Sequence, residues 1–147
     1  YIPKLINLLS SKQEISASTG SRVLRGVKSA LDGGMPFYKL IGNIVLTKIF
    51  NLFFNKKYTD AHTGLWAYNL NYFKDKKFIQ LTDGYNFDQE FRFLNIMNKK
   101  IIKEIPIETK YGDERSQLHI KYAINFFFKT ILFFLIKFKF ISSKKFK

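Results

Sequence analysis

Apolar residues fall at positions 2, 5, 6 and 9, the spacing of one helix face, and Ser10-Ser11-Lys12 closes that segment. In residues 14–23, Ile15, Ala17 and a run of Ser and Thr predict a buried strand that ends near Gly20-Ser21-Arg22. Residues 24–36 are polar and glycine-rich, with Gly33-Gly34 ahead of Met35-Pro36, and predict a flexible loop. Apolar positions 37, 40, 41, 44, 45, 49, 52 and 53 then predict a long helix with a wide apolar face, closed by Asn55-Lys56-Lys57.

The second half continues the alternation. A short helix is expected over residues 69–78 and a turn at Asp83-Gly84. Phe87, Phe91, Leu94 and Met97 mark a further helix that ends at Lys99-Lys100. Ile101, Ile105 and Ile107 face one side of a predicted strand, and Glu104 and Glu108 face the other. Pro106 has no N–H for a ladder, which puts this strand near an edge. A charged loop follows at residues 111–117, then a strongly apolar helix over 121–140 and a basic tail containing Ser142-Ser143-Lys144-Lys145. Alternating strands and helices without an internal repeat make an α/β chain, and 147 residues suffice for one core.

Composition changes the picture mainly through charge. Lys and Arg number 25 against 11 Asp and Glu, a formal charge of +14. Such a surplus selects anionic partners: nucleic acid, anionic lipid or phosphorylated substrates. Nucleic acid is not expected, because the basic residues are spread along the chain and the aromatics sit in apolar helices. A hydrophobic share of 46% excludes a disordered tail. With no Cys, disulfides, thiolate zinc sites and Cys nucleophiles are excluded, and two His residues make a histidine cage unexpected. The opening residues carry no secretory signal pattern, and the chain reads as part of a longer protein.

Five segments hold candidate chemistry. Gly20-Ser21-Arg22 with Arg25, at a strand end, suits phosphate binding, although the local pattern alone favours a turn with two solvated arginines. Asp60-Ala61-His62-Thr63-Gly64 packs an acid, an imidazole and a hydroxyl before a glycine. Asp60 there can orient an acceptor or bind a cation and His62 can donate to a phosphate; the structural alternative is an Asx turn. Asp88 and Glu90 lie two apart on a helix and do not face each other, so either would act alone; an acid at a helix start also stabilises the helix through the dipole. In the loop at 111–117, Arg115 and Ser116 are placed to close over a diphosphate. In the last helix, Lys121, Asn125, Lys129 and Lys137 form one stripe among Phe, Ile and Leu. Its uncharged runs fall far short of the roughly 18 residues needed to span a bilayer. An interfacial helix with lysines reaching anionic lipid is therefore expected; a tilted span with Lys129 buried in protein and a core helix docked on another domain are the alternatives.

The order of these motifs resembles the second half of a family-two glycosyltransferase, nearest the dolichol-phosphate mannose synthases and related polyprenyl-phosphate sugar transferases. Gly20-Ser21-Arg22, Gly33-Gly34-Met35-Pro36, Asn43, Thr59-Asp60-Ala61-His62-Thr63-Gly64, Phe87-Asp88-Gln89-Glu90, Ile105-Pro106-Ile107, Tyr111 and Arg115-Ser116 carry it over nearly all of residues 1–120. The resemblance implies a GT-A fold, a nucleotide-sugar donor, a lipid-phosphate or glycan acceptor, and Mg²⁺ or Mn²⁺ on a D-x-D motif expected ahead of Tyr1. It makes residues 1–118 the carboxy-terminal part of the catalytic domain and residues 119–147 a membrane-associating helix and tail, at the cytoplasmic face of a membrane. It places Arg22, Arg115 and Ser116 at the donor and His62, Thr63 and Gly64 at the acceptor, and it makes Asp60, Asp88 and Glu90 catalytic residues, Asp60 in the active-site acid segment and Asp88 or Glu90 at the place of the acceptor-side base. Leu65-Trp66 stand where the family often has an arginine, and the usual adjacent Glu-Asp pair is replaced by Asp88-Gln89-Glu90. By itself this part is expected to be inactive. The competing reading is a non-catalytic basic module that binds membrane surfaces.

Overall fold

A computed structural model describes residues 1–11, 14–74, 80–84, 86–108, 110–112 and 120–143. The elements are α1 (Ile2–Ser11), β1 (Ile15–Ser21), α2 (Val27–Asp32), α3 (Phe37–Phe54), β2 (Trp66–Tyr68), a 3-10 turn (Leu70–Lys74), α4 (Phe87–Met97), β3 (Ile101–Pro106) and α5 (Ile120–Lys137). The fold is mixed α/β, with a three-stranded sheet in the order β2-β1-β3. β1 runs antiparallel to β2, with Ala17 opposite Tyr68, and parallel to β3, with Ser21 opposite Pro106.

Every residue of β1 is buried, although four of its seven are Ser or Thr. A buried hydroxyl without a partner is costly, so each must bond. Ser16 donates to the Ile101 carbonyl, Ser18 to the Leu5 carbonyl and Thr19 to the Leu65 carbonyl, while Ser21 shares a hydrogen bond with Thr59. Gly20 sits against Ile107, where an added Cβ would meet Cδ1 at 2.7 Å.

α1 covers one face of the sheet, where Leu5 packs with Ile105 and Ile107. The other face carries the main core: Ala17 and Ile102 from the sheet, Phe50 and Phe54 from α3, Phe91 and Phe93 from α4, Phe126 and Phe133 from α5. Ring pairs knit it together, with Phe93 stacked on Phe133 at 4.4 Å and Phe50 tilted against Phe54 at 4.7 Å. Six Phe side chains thus lie in this core, and α5 shares it.

Two expectations change, and one strand was not expected. Residues 24–36 are not one flexible loop, because α2 forms within them: Ala30 and Met35 bury against Leu40, and Gly34 turns the chain at φ 81°. β2 escaped the periodicity because three half-buried residues carry no alternation to read. Of the polar stripe of α5, Lys121 is exposed, while Asn125, Lys129 and Lys137 turn toward side chains of this chain. Asn125 donates to Asn86, Lys129 to Glu90 at 2.9 Å, and Lys137 lies over the Phe54 ring. Burial of Phe126, Thr130, Phe133 and Ile136 fixes that rotation.

Candidate functional site

The site is built where β1 ends. Arg22 follows its last residue and grips Asp60: Nε donates to Oδ2 at 2.6 Å and Nη2 to Oδ1 at 2.9 Å. The Arg22 backbone N–H adds a bond to the same carboxylate. Nη1 donates to the Tyr111 hydroxyl at 3.1 Å. Asn43 of α3 gives Asp60 a further donor at 2.9 Å, and the His62 backbone N–H another at 3.1 Å. Asp60 is wholly buried. Burial alone would raise its pKa, but the hydrogen bonds and charge of Arg22, with Asn43, win and hold it down at about 2. Burial pulls Arg22 down in turn, and the same partner more than offsets it, so the guanidinium stays charged.

α3 supplies the frame. Asn43, Thr47 and Asn51 are spaced by four and so share a face. Thr47 Oγ1 donates to Asn43 and receives the Ala61 N–H; Asn51 exchanges two bonds with the Tyr58 backbone. From the other side, Glu104 on β3 accepts the Thr59 N–H, the Thr59 hydroxyl and the Asp60 N–H. The spacing of Asn43, Thr47 and Asn51 within an apolar helix was the sequence signal for this frame. Glu104 had none, since an acid alternating with isoleucines reads as a solvent face.

Downstream of Asp60, His62 lays its ring on Phe126 of α5, centroids 4.0 Å apart. Burial depresses its pKa to about 4; Asp60 opposes this, while Arg92 and Arg22 add to it. The imidazole is therefore neutral near pH 7. Thr63 Oγ1 caps the Leu65 N–H, its carbonyl takes the Trp66 indole N–H, and Gly64 is exposed with open space where a Cβ would stand.

Behind this turn lies a residue absent from the sequence reading. Arg92 of α4 is 0% exposed and stacked between Tyr58 and Trp66, 4.5 and 4.7 Å from their centroids. Among the described residues, its three guanidinium nitrogens meet no hydrogen-bond acceptor. Trp66 stacks in turn on Tyr68 at 5.6 Å, and Tyr68 donates its hydroxyl to Asp88 at 2.9 Å. Asp88 is half-buried; burial raises its pKa, with Tyr68 and Arg92 opposing.

Asp60, His62, Thr63 and Arg22 are therefore brought together, and the aromatic stack links Asp88 to them. Glu90 points elsewhere: it accepts the Thr82 N–H and hydroxyl and pairs with Lys129, tying α4 to α5. Arg25 pairs with exposed Glu108. Arg115 and Ser116 lie outside the described residues. Among the described residues, no three His, Cys, Asp or Glu side chains are gathered to hold a metal ion. No family model matches this chain, and neither a curated protein nor a solved structure does.

Proposed function

We propose that this chain is the acceptor-side part of a GT-A glycosyltransferase that moves a sugar from a nucleotide-sugar donor to a polyprenyl-phosphate or other membrane-proximal acceptor. One observation carries the reading. Arg22, Asn43, Asp60 and Tyr111 come from four separate segments of the family resemblance, and they meet in one hydrogen-bonded cluster. That cluster lies beyond the carboxyl end of a strand with a parallel neighbour, where open α/β sheets bind their ligands.

The chemistry follows from the geometry. Of the five guanidinium N–H groups that an arginine carries, Arg22 spends three on Asp60 and Tyr111. The remaining two are donors for the oxygens of a departing diphosphate. Asp60 is saturated by donors from its own chain, so its part is to hold Arg22 and the turn through Gly64 in place. Neutral His62 keeps Nε2 buried and without a hydrogen-bond partner among the described residues. Asp88, half-buried with a raised pKa, suits proton acceptance from an acceptor hydroxyl. A phosphate acceptor needs little such help. A divalent cation, when bound, would screen the diphosphate; the resemblance assigns it to the D-x-D segment expected ahead of Tyr1, and the side chains described here do not by themselves compose its site.

The test is transfer by the full reading frame, with purified membranes and labelled nucleotide sugars. Label should enter a lipid or glycan acceptor and be lost with Arg22→Gln. Absence of transfer to any acceptor, with a D-x-D segment present, overturns the reading. The alternative, a membrane-surface module without turnover, draws on the exposed apolar residues of α3 and α5. Binding to anionic vesicles without affinity for any nucleotide sugar would favour it.

A further inference from the structure

We propose that the cleft between β3 and the segment following α3 is a second anion site, which takes a phosphate-bearing ligand and is separate from the Arg22–Asp60 cluster. The cleft is open, with a volume of about 370 Å³. Lys56 and Lys57 line it from the end of α3, and Lys100 and Lys103 from β3 and the turn before it. Tyr58 and Glu104 complete the part that matters here.

The charges are unbalanced. Among the described residues, Glu104 is the one acidic member of the lining, and its carboxylate is already spent on Thr59 and the Asp60 N–H. Among the described residues, the ion pairs join Arg22 to Asp60, Arg25 to Glu108 and Lys129 to Glu90, and include none of these four lysines. The lining thus holds a surplus of 4 − 1 = 3 positive charges. Lys56 and Lys100 are half-buried, which limits screening by salt, and the Lys100 ammonium is held 5.1 Å from the Tyr72 ring centroid. A phosphate monoester carries a charge of roughly −1.5 to −2 near neutral pH and offers three acceptor oxygens. Lysine ammoniums bind such groups as point charges. A volume of this size falls within the roughly 300–1,000 Å³ of small-molecule sites. Glu104 both lines the cleft and holds the Thr59–Asp60 turn, so an occupant would sit one side chain away from the Arg22–Asp60 cluster.

Titration calorimetry with inorganic pyrophosphate at low salt tests the proposal. The chain should bind it saturably. The variant Lys56→Gln, Lys57→Gln, Lys100→Gln, Lys103→Gln should bind at least tenfold more weakly. A control with equal loss of charge at exposed positions (Lys4→Gln, Lys28→Gln, Lys110→Gln, Lys121→Gln) should lose less than threefold, with circular dichroism superimposing for all three. Flotation with phosphatidylglycerol and phosphatidylcholine vesicles separates the sources. Recovery on phosphatidylglycerol that the cleft variant loses and pyrophosphate competes away identifies a lipid headgroup. Equal flotation of both proteins, beside saturable pyrophosphate binding, identifies a soluble phosphate. No saturable binding, or equal loss in the control, overturns the site. So does loss of pyrophosphate binding in Arg22→Gln with the cleft variant unaffected, an outcome that leaves the proposed glycosyl transfer standing.

Discussion

Arg22 and Asp60 form the shortest ion pair among the described residues, Nε to Oδ2 at 2.6 Å, across 38 positions of sequence. The pair joins the end of β1 to the turn after α3. Around it the carboxylate receives only donors, from Arg22, Asn43 and the His62 N–H.

Asp60→Asn places an amide NH₂ among those donors and leaves Arg22, with its side chain 14% exposed, without a counter-charge. Removing one partner of a largely buried pair costs about 3–5 kcal/mol. Urea unfolding should show a loss near the lower end of that range, since Arg22 retains Tyr111 and some solvent. A change below about 1 kcal/mol, the scale of an exposed pair, would refute this account.

The acid limb of stability should fall in two steps. His62 has an ordinary pKa of 6.5 and a folded value of about 4. Between those values the unfolded chain binds the proton and the folded one does not, so stability rises with pH there. About 2.5 units corresponds to on the order of 3 kcal/mol, lost as pH falls from 6.5 to 4. Asp60 behaves in the usual carboxylate sense: its contribution is present above 3.8 and lost as pH falls toward 2. His62→Gln should flatten the upper step and leave the lower one. An unchanged slope between pH 6.5 and 4 in the variant would contradict the assignment.

Arg92 is a buried cation whose donors find no hydrogen-bond acceptor among the described residues; the faces of Tyr58 and Trp66 hold it, and the Asp88 carboxylate interacts with its charge. A charge held out of water without hydrogen-bond partners carries a desolvation cost, which an apolar group of similar volume removes. Arg92→Met should therefore unfold at equal or higher urea concentration. It should also raise the His62 pKa, because the Arg92 charge helps depress it. Histidine titration by NMR reads the second effect, and a fall in that pKa would show that Arg92 acts otherwise.

Long periodic segments were legible in the chain: α1, β1, α3, α4 and β3 lie where their apolar spacing put them. The site was legible as a set of motifs but not as a set of bonds. Asp60 and Arg22 were both singled out, yet nothing in one dimension pairs residues 38 positions apart. Arg92 was invisible, because an arginine in an amphipathic helix ordinarily faces solvent. The stripe of α5 was visible and its direction was not. A lysine four residues after Asn125 fits lipid and Glu90 alike until the partner helix is in place.

That direction sets the last prediction. With Lys129 turned onto Glu90, the outward faces are mainly apolar: Tyr38, Ile41, Val45 and Leu52 on α3, with exposed Lys48 among them, and Ile124, Phe128 and Leu132 on α5. Leu52 is 79% and Phe128 62% exposed. By length and composition, α3 is the one helix of the described residues apolar enough to cross a membrane, and only 28% of it is buried. A face that apolar, flanked by lysines, is suited to the lipid interface. Burying apolar surface contributes about 25 cal/mol per Å², so three large side chains dominate over any single exposed charge. The triple variant Ile124→Ser, Phe128→Ser, Leu132→Ser should float with anionic vesicles at least tenfold less than the unaltered chain, as should Ile41→Ser, Val45→Ser, Leu52→Ser. The neutralised pair Lys129→Gln with Glu90→Gln should float unchanged. Loss of flotation in that pair alone would mean that the lysine stripe, and not the apolar faces, meets the bilayer.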